Sequence, residues 1–112
     1  MKKRILIVVS DYYENISKNL LINSKKALHK NFNIKVLYSP GAFEIPVIIS
    51  TNIKRYDGFV ALGCIIKGQT PHFNFISQAS TNAIMDISIS QKKPVGNGII
   101  TCLNMKQAKA RK

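Results

Sequence analysis

At 112 residues, 46% hydrophobic and with a formal net charge of +12, the chain is sized for one domain, residues 1–112, with a core of its own. No stretch reaches the roughly 20 apolar residues that cross a bilayer, and MKKRILIVVS is too short, and lacks a small-residue cleavage site, for a secretory signal; a cytoplasmic protein is expected. The positive balance attracts phosphate-bearing partners, but with no RNA-recognition aromatic signature, zinc-finger spacing or long basic helix, nucleic acid is not the expected one.

Apolar runs rich in β-branched residues predict strands at Ile5–Val9, Ile34–Tyr38, Gly58–Ile66 and Val95–Thr101, with helical segments between them. That alternation is the pattern of an α/β domain with a mostly parallel sheet. The first and third runs are apolar almost without a break, as strands covered on both faces are, so they are expected at the sheet centre. A first helix is predicted from about Glu14 to Lys30, with Ile16, Leu20, Ala27 and Leu28 inward and Lys18, Lys25 and Lys26 in water. A second begins near Glu44 to Pro46, proline being tolerated in a first turn, and ends before Tyr56. In the third, Thr70 is read as the N-cap and Pro71 as the first helical residue, and Ile76, Ala79, Ala83 and Ile87 share one face. A last helix starts near Asn104. The basic clusters at 2–4, 25–26, 92–93 and the end of the chain are separated in sequence and read as solvated surface.

In an open parallel sheet the carboxyl end of every strand feeds a loop on the same edge, where ligands settle. Here those loops are SDYYEN, SPGAFEIP, KGQTPHF and TCLN, so a pocket is expected along that rim. A helix starting at Thr70 would offer unpaired N–H groups to an anion, with Gly68 allowing close approach and Lys67 adding charge. His72, in the positive first turn, is expected to stay neutral and exchange protons with a substrate; His29 is given no role. Gly41 is read as free to take a positive φ that brings backbone amides to a ligand, Glu44 as an acceptor for a polyhydroxyl or amine ligand or as a first-turn charge on the helix dipole, and Tyr12 and Tyr13 as faces for a flat heterocycle or as a cover for the sheet edge. Cys64 and Cys102 form neither a CxxC pair nor a zinc spacing and read as reduced thiols, buried or lining a site, with no metal centre expected.

Taken together, PGAFEIP, YDGFVALGCIIKGQTPHF, PVGNGIIT and QAKAR, in that order and spacing, resemble the 6,7-dimethyl-8-ribityllumazine synthase family. The resemblance implies a flavodoxin-like, three-layer α/β/α domain with a four-stranded parallel sheet. It also implies a homo-oligomer, a pentamer or decamer, with active sites between neighbouring subunits. The implied reaction, in riboflavin biosynthesis, condenses two small molecules, 5-amino-6-(D-ribitylamino)uracil and 3,4-dihydroxy-2-butanone 4-phosphate, and needs neither metal nor redox cofactor. By motif match, Tyr12 stacks on the pyrimidine, Ala42, Phe43 and Glu44 hold ring and ribityl chain, and Cys64, Ile65 and Ile66 lie beside the ring. Gln69 and Thr70 match the phosphate loop, His72 the proton-transferring histidine and Arg111 the arginine on the phosphate. Asn97 stands where relatives carry an aromatic that reaches a neighbour's pyrimidine site, and Lys67 replaces a frequent arginine. Relatives run on past the arginine into a glycine- and lysine-bearing loop and a long final helix, so a domain lacking most of that helix is expected. The alternatives are a shortened, weakly active or inactive relative serving as a ligand-binding or assembly module, and a basic nucleic-acid-binding α/β domain. A phosphoryl-receiver domain lacks its acidic cluster here, and an electron-carrying flavodoxin lacks its hydroxyl- and glycine-rich first loop.

Overall fold

The computed structural model describes residues 2–28, 30–67 and 73–111. In chain order it contains β1 (Lys3–Ser10), α1 (Glu14–Leu28), β2 (Phe32–Ser39), a 3-10 turn (Ala42–Glu44) running into α2 (Ile45–Thr51), β3 (Gly58–Ile66), α3 (Phe73–Gln91), β4 (Val95–Cys102) and α4 (Met105–Arg111). All four strands are parallel, in the order β2-β1-β3-β4, which is the flavodoxin-like α/β arrangement the sequence implies. β1 and β3 are central as expected, and their near-continuous apolar runs are buried on both faces.

The period of two divides each strand between two cores. Leu6 and Val8 of β1 with Phe59, Ala61 and Ile65 of β3 meet Ile45 and Ile49 of α2 and Ile84 of α3. On the opposite face, Ile5, Ile7, Val9 and Leu62 pack under Leu20, Leu21 and Leu28 of α1. Cys64, Ile66 and Cys102 pack with Ile16 of α1 and Ala108 of α4. Burying a side chain of this size contributes about 1.5–3 kcal/mol, so these central residues hold the sheet to both helical layers.

Two helical faces depart from the periodic reading. The inward stripe of α1 centres on buried Ile16 and Ser17 with Leu20 and Leu21, which leaves Ala27 exposed rather than in the core. On α3 the most deeply buried residues are Ser80 and Ile84, with Ile76 and Ile87 packed alongside and Ala79 and Ala83 on the flank. In both, a buried serine replaces an apolar residue at the centre of the stripe, and its hydroxyl finds a carbonyl. Pro46 falls in the first turn of α2 as expected. Asn104 caps α4 by accepting the Gln107 N–H at 2.9 Å, while the Gln107 amide oxygen accepts the Leu103 N–H at 2.8 Å.

Candidate active site

β1 sends the chain across one face of the sheet through α1, and β3 sends it across the other through α3. The two loops therefore part at the carboxyl ends of adjacent strands, and a crevice opens between them. It is a cleft of about 300 Å³. Ser10 at the end of β1 and Tyr12 and Tyr13 after it line one side; Pro40, Gly41, Ala42, Phe43 and Glu44 line it after β2. The end of β3, Cys64 to Ile66, contributes the third side, and Ile76 of α3 closes it.

Aromatic rings flank the cleft. Tyr12 stands edge-on to Tyr13, with ring centroids 4.9 Å apart and an interplanar angle of 79°. Tyr12 is 66% exposed, which leaves its free face for a planar ligand. Phe43 stacks on Phe75 of α3 at 5.8 Å and 27°. Burial, the neighbouring Tyr12 and Cys64 all raise the Tyr13 hydroxyl above its ordinary 10.0, so it remains a proton donor at neutral pH.

Glu44 ends the 3-10 turn and begins α2, yet its carboxylate makes no capping bond to the helix. It is exposed, and among the described residues no cation pairs with it. The carboxylate lies over Gly41, where an added β-carbon would stand 3.3 Å from its Oε2. Gly41 itself is extended, at φ −151 and ψ 167. The expectation of a positive φ is thus corrected: close approach by the Glu44 carboxylate, not backbone handedness, is what a side chain there would disturb.

Among the described residues the four buried polar ones, Ser10, Ser17, Ser39 and Ser80, belong to the scaffolding of this rim. Ser17 Oγ donates to the Ser10 carbonyl and ties α1 to the end of β1. Ser39 Oγ donates to the Gly41 carbonyl at 2.6 Å, and Ser80 Oγ to the Ala42 carbonyl at 3.4 Å. The loop after β2 is thereby fastened to its own strand and to α3. Sequence reasoning missed these serines, because a small polar residue inside an apolar pattern carries no periodic signal.

The structure brings seven of the predicted site residues to the cleft: Tyr12, Ala42, Phe43, Glu44, Cys64, Ile65 and Ile66. Asn97 is elsewhere. It pairs with Ala61 of β3, about 10 Å along the strand from Cys64 at 3.3 Å per residue, and its side chain accepts the Ile99 N–H at 3.0 Å. Arg111 also lies off the cleft of its own chain, with Nη1 donating to the Thr101 carbonyl at 2.8 Å and to Cys102 Sγ at 3.9 Å. Gln69, Thr70 and His72, with the capping and anion-site reading of Gly68 and Pro71, fall outside the described residues.

Both cysteines are free thiols; Cys64 borders the cleft and Cys102 is buried behind it. Burial, with the Cys102 thiol alongside, pushes the Cys64 thiol up to about 12. It is therefore a neutral wall rather than a nucleophile. Among the described residues no group of three His, Cys, Asp or Glu side chains could hold a metal ion, and no helix is long and apolar enough to cross a membrane.

Residues 2–112 match the profile of the family described as 6,7-dimethyl-8-ribityllumazine synthase. The chain is 41% identical to the protein of that name from Agrobacterium fabrum over 118 residues, covering 98% of this chain and 80% of that one. It is 42% identical to the one from Bartonella bacilliformis, with 96% and 74% covered. For the one from Vesicomyosocius okutanii the identity is 40%, with 98% and 72% covered.

Proposed function

Because the chain belongs to the 6,7-dimethyl-8-ribityllumazine synthase family, we propose that it is a transferase of riboflavin biosynthesis. It condenses 5-amino-6-(D-ribitylamino)uracil with 3,4-dihydroxy-2-butanone 4-phosphate and releases phosphate and water. One observation carries the reading. At the switch point between β1 and β3, an exposed tyrosine face, a carboxylate with no cation partner among the described residues and the end of an apolar strand share one cleft.

In this reading the pyrimidine stacks on Tyr12 with one edge along Cys64 to Ile66, and its ribityl hydroxyls donate to Glu44. The substrate amine attacks the butanone carbonyl, water leaves to give a Schiff base, phosphate is eliminated and the ring closes. His72 relays the protons, and Gln69, Thr70 and Arg111 hold the phosphate, the arginine with its planar fork of donors. The protonated Cys64 thiol does not compete for the electrophilic ketone. Holding two reactants in register supplies much of the acceleration, since well-oriented pairs gain about 7–11 kcal/mol over free encounter.

Asn97 and Arg111 act on the cleft of an adjoining copy in a homo-oligomer, a pentamer or decamer. Supporting this are the apolar side chains that α2 and α3 turn outward, Val47, Phe75, Met85 and Ile89, each more than half exposed in the single chain. The enzyme works in the cytoplasm on its two small-molecule substrates. The direct test mixes purified chain with both substrates and follows the fluorescent lumazine. Product is expected only when both are present; none at millimolar substrate, from protein that is folded and assembled, would overturn the reading.

A further inference from the structure

The basic clusters that the sequence scatters are gathered by the fold. Helices in a parallel α/β sheet run against the strands, so each helix ends, and each strand begins, at the edge opposite the cleft. Lys2, Lys3 and Arg4 open β1 there, and Lys25, Lys26 and Lys30 close α1 and precede β2. Lys54 and Arg55 follow α2; Lys92 and Lys93 follow α3. Ten of the chain's 17 basic residues therefore stand at this amino edge.

Three of the four segments bearing them are joined. The Arg4 N–H donates to Asp57 Oδ2 at 2.7 Å, and the Asp57 N–H to the Arg4 carbonyl at 2.8 Å. Lys93 Nζ donates to the Ile53 and Tyr56 carbonyls. Asp57 is the one carboxylate among these segments, so the edge carries a net charge of +9 in a chain of +12. The cleft edge is mixed by comparison, with Asp11, Glu14 and Glu44 near Lys67, Lys106, Lys109 and Arg111.

Cations at helix carboxyl ends complement the helix dipole, which accounts for one or two per helix. It does not account for the mutual repulsion of so many on one edge, which an anionic partner would relieve. Lys92 adds a second sign. It sits at φ 54, in the left-handed region where glycine is at ease, and it is the one non-glycine residue so placed among those described. A charge thus occupies a position where backbone preference asks for none.

From this convergence of four basic loops we propose that the amino edge is a docking surface for the sugar-phosphate backbone of nucleic acid, separate from the cleft. The edge favours that partner over a lipid surface. Membrane-surface attachment interleaves basic and apolar side chains that enter the bilayer, whereas Phe32, Ile53 and Tyr56 turn inward and pack on the two cores. With no aromatic face presented for stacking among the described residues of this edge, contacts are to phosphates and indifferent to sequence.

The experiment is fluorescence anisotropy with 30-base-pair DNA and RNA duplexes across a salt series, alongside vesicles of phosphatidylglycerol and phosphatidylcholine. If about five phosphates are engaged, affinity for a duplex falls roughly 500-fold between 50 and 200 mM salt. Combining Lys54→Gln, Arg55→Gln and Lys92→Gly should flatten the log–log salt slope by about two to three units. The pair Lys106→Gln and Lys109→Gln, on the cleft edge, should leave it unchanged. Lumazine formation by both variants reports folding and catalysis independently. No duplex binding at low salt, binding to vesicles alone, or an unaltered slope in the triple variant would each overturn the proposal.

Discussion

The Glu44 carboxylate lies directly over Gly41, with Oε2 3.3 Å and Oε1 3.5 Å from where a β-carbon on Gly41 would stand. The backbone at Gly41 is extended and open to any residue, so the only obstacle to a methyl group is the end of a flexible side chain. Gly41→Ala is expected to leave stability within about 0.5 kcal/mol of the parent while tilting the carboxylate out of place. The Kd for 5-amino-6-(D-ribitylamino)uracil should rise roughly fivefold, the equivalent of about 1 kcal/mol from one weakened charge-assisted hydrogen bond. An unchanged Kd by titration calorimetry would remove Glu44 from the ribityl contact.

Tyr12→Ala should raise the KM for the pyrimidine by about tenfold, within the roughly 1–3 kcal/mol that base–aromatic stacking contributes. Tyr12→Phe should match the parent, because the ring face and not the hydroxyl is used. With Tyr12 66% exposed, neither change should move the urea midpoint by much.

Ser39→Ala removes the hydroxyl that donates to the Gly41 carbonyl at 2.6 Å. That part-buried acceptor is then left with only the longer 3.4 Å bond from the Glu44 N–H, which is expected to cost about 1 kcal/mol and to loosen the loop that carries Phe43 and Glu44. Ser50→Ala, at an exposed position of α2, should stay within about 0.5 kcal/mol. Equilibrium urea denaturation of the two variants distinguishes the tie from a general intolerance of serine loss.

The Cys64 thiol is raised from an ordinary 9.0 to about 12, first by burial and then by the Cys102 thiol. In the folded state it keeps its proton where the unfolded chain has lost it. The stabilisation is complete below pH 9 and declines as pH climbs from 9 toward about 12. Cys64→Ser should show a shallower loss of stability over that interval, and the native parent should resist a disulfide thiol reagent at pH 8. Rapid labelling of Cys64 at that pH would contradict the buried, neutral thiol.

His72→Ala should slow turnover without unfolding the chain, and Arg111→Ala should raise the KM for the phosphate ester. If cleft and arginine come from adjoining copies, refolding the two variants together in equal amounts should restore about a quarter of parental activity through mixed assemblies. Activity no higher than the average of the two variants alone would assign both residues to a single chain.

Much of this architecture is legible in the residues. The uninterrupted apolar runs at 5–9 and 58–66 announce the two central strands, and the loops after β1 and β2 meet the end of β3 on one rim by connectivity alone. What escapes is whatever periodicity does not encode. Ser17 and Ser80 sit where an apolar residue would serve the pattern, and only their carbonyl partners, distant in sequence for Ser80 and Ala42, explain them. Gly41 looks like a turn glycine until the neighbouring carboxylate is seen above it. Ala27 satisfies helical spacing but stands exposed, because the inward stripe of α1 is set by Ser17 and Leu21 instead.

Each serine tie at the mouth of the cleft joins an uncharged hydroxyl to an uncharged carbonyl. Neither partner gains or loses a proton between about pH 4 and 10, so acidity has no purchase on these fasteners. A bell-shaped dependence of rate on pH would accordingly belong to the groups that bind and react, and the curve could be taken as their titration in a vessel of constant shape.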